Sequence, residues 1–131
     1  MLELIHPHEA GLFWRQSTAD LRHAVETARK VADTFPDDRT VQRAALWHDI
    51  GKVESQLTAL GRATATVART LRVPRSRRWR AYDEHGPRGA VQLEALKCEP
   101  LVIAFARYHP QGAPPEYDVN VWNALLAADD D

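Results

Sequence analysis

Apolar residues return every three or four positions along almost the whole chain, which is the spacing of one helix face. No segment alternates with the period of two that marks a strand. The pattern predicts a short first helix from about His8 to Gln16. A second begins at Ser17 or Thr18, where Ser17 and Asp20 have capping-box spacing, and carries the stripe Leu21, Ala24, Val25, Ala28, Val31, Ala32 and Phe35. The turn PheProAspAsp ends it. A third follows Asp38 and stops at Gly51. A fourth runs from about Ser55 to Arg72, with Leu57, Leu60, Val67, Ala68 and Leu71 inward. Pro87 and Pro100 stand where first-turn prolines belong and open helices over 87–98 and 100–109. A Pro- and Gly-containing loop then leads to a last helix over 119–128. The fold expected is a compact all-α bundle of six to seven helices in one domain over 1–131, with 1–16 as a lead-in. Trp14, Trp47 and Trp122 read as core, and Trp79 is ambiguous.

At 131 residues the chain is long enough for a real core. Its net charge of −1 argues against extended nucleic-acid binding. A single cysteine, Cys98, excludes an internal disulfide and fits a reducing compartment. No stretch reaches the apolar length of a membrane span, and the first residues lack the basic and apolar regions of a signal peptide. A cytoplasmic protein is the expectation.

Chemistry enters with HisAspIleGlyLys at 48–52. An imidazole and a carboxylate stand side by side at the end of a helix that is apolar on most sides, through Val41, Ala44, Ala45, Leu46, Trp47 and Ile50. Burying such a pair is costly unless a metal or another partner compensates. Other elements offer further ligands: His23 in the second helix, His85 just before Pro87, His109 after the Pro100 helix, and Asp129 after AlaAla. Nitrogen and oxygen donors without thiolates favour Mn, Fe, Co, Ni or Zn, with Mg also compatible.

The order of these residues resembles the HD-domain superfamily of metal-dependent phosphohydrolases, helical bundles named for their central HisAsp pair. The pieces that carry the resemblance are LeuArgHisAlaVal at 21–25, AlaAlaLeuTrpHisAspIleGlyLys at 44–52, HisGlyProArgGlyAlaVal at 85–91, AlaArgTyrHis at 106–109 and LeuAlaAlaAsp at 126–129. The lead-in GluAlaGlyLeuPheTrpArg is similar to that of an uncharacterised bacterial branch. The resemblance implies that His23, His48, Asp49 and Asp129 hold one divalent ion. It implies that His85 and His109 join a bridging Asp49 around a second. Asp49 and Lys52 would then be catalytic, and Lys52 would also bind substrate. The implied reaction is hydrolysis of a nucleotide or another small phosphoester by metal-activated water. Lys52 stands where the family's 5′-nucleotidases carry a glutamate, and Lys52 and Val53 replace the GluAsp pair of its guanosine tetraphosphate hydrolases. The first substitution departs from the 5′-nucleotidase pattern, and the guanosine tetraphosphate activity is not expected.

Each residue also has a plainer reading. His23 alone fits a hydrogen-bonded boundary histidine, and His48 with Asp49 fits a capping pair. His85 and His109 fit surface residues, AspAspAsp a solubilising tail, and Lys52 a lysine on helix C-terminal carbonyls. His6 and His8 suit capping or solvent better than chelation. The stretch Arg69–Arg80 holds six arginines and no acid. It is a solvated face or, if it folds over the cleft, a phosphate grip through Arg78 and Arg80. Two other functions share the ligand order: an HD-type di-iron oxygenase, and a regulatory module that binds metal without turnover. The partner expected is a small phosphorylated substrate, with no membrane, and a homodimer through an exposed helix is the assembly considered.

Overall fold

The computed structural model describes residues 2–55 and 85–130, and all regular structure in them is helical. Two 3-10 turns, Leu2–Leu4 and Pro7–Glu9, precede a one-turn helix α1 (Ala10–Phe13). There follow α2 (Thr18–Thr34), α3 (Arg39–Trp47), α4 (Lys52–Ser55), α5 (His85–Ala95), α6 (Pro100–Tyr108) and α7 (Val119–Asp129). The expectation of an all-helical bundle holds. The later part of the helix expected over 55–72, and the arginines 69–80, lie outside the described residues.

Local chemistry sets most of the boundaries. The Ser17 hydroxyl accepts from the Asp20 amide at 3.1 Å, as the capping spacing predicts. Asp38 caps α3 by accepting from the Val41 amide, and Asp118 caps α7 by accepting from Asn120 and Val121. Pro100 is at the first position of α6. The end of α5 was not legible. Lys97 takes the left-handed conformation at φ 59, while the Cys98 amide bonds Leu93 and the Lys97 amide bonds Glu94. That is a Schellman ending, built on lysine where glycine is usual.

Several boundaries differ from expectation: α4 begins at Lys52 rather than Ser55, and α5 spans His85–Ala95 rather than 87–98, so Pro87 is its third residue and does not open it. The lead-in is not one helix, because Pro7 starts a 3-10 turn in which the Glu9 carboxylate bonds back to the His6 amide. Nor does α3 run to Gly51. It ends at Trp47, and the chain tightens into three-residue turns in which Ile50 bonds Trp47, Lys52 bonds Asp49 and Val53 bonds Ile50. No described glycine has positive φ, so Gly51 does not act as a left-handed cap.

Helix α3 is the axis of the bundle. Every residue from Val41 to Ile50 is buried, and α2, α6 and α7 pack around it. Phe13 meets Trp47 edge-on, and Phe105 meets Trp122 in the same way. Trp47 and Trp122 are core, as expected. Trp14 is 58% exposed and is not. Phe13 takes the inward position of the single turn α1, and its neighbour is then rotated away.

Candidate metal centre

The tight turn after α3 puts His48 and Asp49 where three helices converge. His48 is fully buried, and its Nδ1 donates to the Ala45 carbonyl at 2.7 Å. That bond leaves Nε2 as the nitrogen that faces inward. His109 is oriented in the same manner, with Nδ1 donating to the Phe105 carbonyl at 2.7 Å. Its backbone leaves α6 in an extended conformation, as a residue before proline must. His23 reaches in from the first half of α2, and Asp129 from the end of α7.

The side chains expected to hold the first ion come together. His23 Nε2 lies 2.8 Å and His48 Nε2 2.9 Å from Asp129 Oδ1. From Asp49 Oδ2 the same two nitrogens are 3.3 Å (His48) and 3.9 Å (His23) away. Ligand atoms bound at about 2.1 Å sit about 3.0 Å apart when cis in an octahedron and about 3.4 Å apart in a tetrahedron. The four separations bracket those values, and one atom from each of the four residues falls within 4.8 Å of all the others. The donor set, two imidazoles and two carboxylates without thiolate, fits a hard or borderline divalent ion.

Asp49 faces two ways. While Oδ2 looks toward His23 and His48, Oδ1 lies 3.2 Å from His109 Nε2. The described part of the second expected site is therefore this carboxylate oxygen and one imidazole. His85 begins α5, and its side chain is outside what the structure describes. Gly86 and Gly89 bring that helix close. A Cβ on Gly86 would come within 2.9 Å of the Ala106 and Arg107 carbonyl oxygens, and one on Gly89 within 2.8 Å of the Gly51 nitrogen. The start of α5 is thus pressed between the end of α6 and the HisAsp turn. These glycines were missed from the sequence, although their three-residue spacing on a helix was the available signal. Lys52 opens α4 and donates to Asp49 Oδ2 at 2.9 Å. Its ammonium therefore lies at the centre and does not merely cap α3.

The electrostatics follow from two carboxylates in a partly dry site. Burial works against a charge on His48, but its bonds to Asp129 and Asp49 prevail and push its pKa up to about 10. Burial likewise works against ionising Asp129, yet bonding to His48 and His23 holds its carboxyl at about 2. A cation among these groups is electrostatically favoured, whether proton or metal. Cys98 is buried elsewhere, and burial together with Glu9 pushes its thiol up to about 12. It offers no thiolate for covalent chemistry near neutral pH.

Compared with protein-family models, curated proteins and solved structures, the chain gives no match. The fit to a divalent ion therefore rests on the donor set and its separations. No helix among the described residues is long and apolar enough to cross a membrane.

Proposed function

We propose that this chain is a metal-dependent phosphohydrolase of HD-domain type, acting on a nucleotide or another small phosphoester. One observation carries the reading. His23, His48, Asp49 and Asp129, up to 106 positions apart, bring their ligand atoms to one point with the separations of a coordination shell. His109 on the second oxygen of Asp49 supports a bridging carboxylate and a second ion, to which His85 would be the further ligand. Bound there, a divalent ion of the Mn, Fe, Co, Ni, Zn or Mg group supplies Lewis acidity and acidifies water.

The chain's own residues would do the rest. Hydrolysis forms a phosphorus–oxygen bond from water and breaks the ester bond, so a proton must leave the water and another must reach the leaving oxygen. Asp49 orients the water through whichever oxygen faces it. Lys52, one quarter exposed and already donating to Asp49, has donors to spare for a non-bridging phosphoryl oxygen. Arg78 and Arg80 remain candidates for more distant phosphates and lie outside the described residues. A single cysteine, which can form no internal disulfide, suits a cytoplasmic setting.

The test is metal analysis of untagged protein, paired with phosphate release from nucleotides and alcohol release from simple phosphodiesters. Asp49→Ala should lose bound metal and all turnover. Lys52→Ala should keep metal and lose about a hundredfold in rate, the scale of one electrostatic donor at a developing charge. Normal metal content and rate in Asp49→Ala would end the proposal. Oxygen uptake with iron and no phosphate release would replace hydrolysis with oxidation, and metal uptake without either would leave a binding module.

A further inference from the structure

We propose that Lys30 is a positioning residue for the metal centre, holding the last turn of α7 so that Asp129 stands between His23 and His48. The inference rests on the metal-centre reading. Lys30 lies two turns after His23 on α2, on the same face, and Thr27 between them bonds the His23 carbonyl. Its ammonium donates at 3.3 Å to the carbonyl of Ala128, the residue immediately before Asp129. That carbonyl is among the last of α7, which helix geometry leaves short of an intrahelical donor. A cation also suits the negative end of the helix dipole.

The consequence falls on ligand placement. Asp129 is the final residue of α7, and terminal turns fray. Its Oδ1 makes the two shortest of the measured separations among the four candidate ligands, so a shift of this turn disturbs both at once. Helix α2 therefore grips the end of α7 twice, by His23 on the side chain of Asp129 and by Lys30 on the backbone just before it. Two attachments fix the angle of the turn where one would let it pivot.

The sign of the effect distinguishes positioning from plain charge. A lysine acting only through space repels a metal cation, so removing it would tighten binding. A lysine acting through the Ala128 carbonyl weakens binding when lost. Mn²⁺ and Zn²⁺ dissociation constants, measured by calorimetry and by competition with a chelating dye, should be compared for wild type, Lys30→Met and Lys30→Arg. Thermal melts of the chelated proteins should accompany them. Lys30→Met should bind about tenfold more weakly, the low end for groups that orient metal ligands. Lys30→Arg, which can reach the same carbonyl, should return close to wild type. Unchanged or tighter binding in Lys30→Met overturns the role, as does a lowered melting temperature with the same dissociation constant, or an arginine variant no better than methionine. If wild type itself takes up no metal, the metal-centre reading fails and this inference with it.

Discussion

At the scale of the residue, His48 carries the sharpest expectation. Its pKa is raised from 6.5 to about 10, because burial is outweighed by two carboxylate partners. A group raised on folding contributes stability that is complete below its unfolded pKa and is lost as pH climbs through the folded one. Chelated protein should therefore melt at progressively lower temperature from about pH 6.5 to about pH 10. Asp129 is shifted the opposite way, to about 2, so its contribution is present above pH 4 and disappears only as pH falls toward 2. Metal requires the unprotonated imidazole. Loading at pH 7 should thus expel about one proton per protein, read by calorimetry in buffers of different ionisation enthalpy. Heats that do not vary with the buffer would mean that His48 is already neutral, or that the ion binds elsewhere.

At the scale of the element, glycines decide how close the helices lie. Alanine in place of a helical glycine ordinarily gains about 0.5–1 kcal/mol. Gly11 has nothing within 4 Å of a new Cβ, so Gly11→Ala should gain that amount in urea denaturation. Gly89→Ala should instead lose about 1–3 kcal/mol, because its methyl meets the Gly51 nitrogen and the Ile50 side chain and α5 must back away. A stabilised Gly89→Ala protein would refute this packing of α5 on the HisAsp turn. The sequence showed the helices because periodicity and caps are local signals: Ser17, Asp38 and Pro100 act within a few residues of themselves. It pointed to the residues that gather as a His–Asp group able to hold a metal, because residue type and order survive without coordinates. It did not show that His48 and Asp49 sit on a tightened turn beyond α3, since that follows from contacts with Gly89 and Asp129 far along the chain. Trp14 was misread because a one-turn helix has too few positions to define an inward face.

At the scale of the whole molecule, α3 is fastened electrostatically at two places, and only one fastening was anticipated. The HisAsp cluster closes its C-terminal end. At its midpoint Arg43, 2% exposed, bonds both oxygens of Glu9 at 2.6 and 2.9 Å, Glu99 at 2.8 Å and the Leu4 carbonyl. This joins the lead-in and the start of α6 to the axis of the bundle. Sequence gave no hint of it, because nothing local marks which acid, 34 or 56 positions away, a buried arginine will choose. Glu9 is itself 1% exposed, so losing its partner strands a carboxylate out of water. Arg43→Met should therefore cost about 3–5 kcal/mol, a large share of the roughly 5–15 kcal/mol that holds a domain together. A well-packed apolar pair can match a buried ion pair, so adding Glu9→Met to Arg43→Met should recover much of the loss. Recovery in the double variant would locate the penalty in the stranded charge. A double variant no more stable than Arg43→Met would locate it in the bonds to Glu99 and the Leu4 carbonyl, and the stranded Glu9 carboxylate would not be its cause.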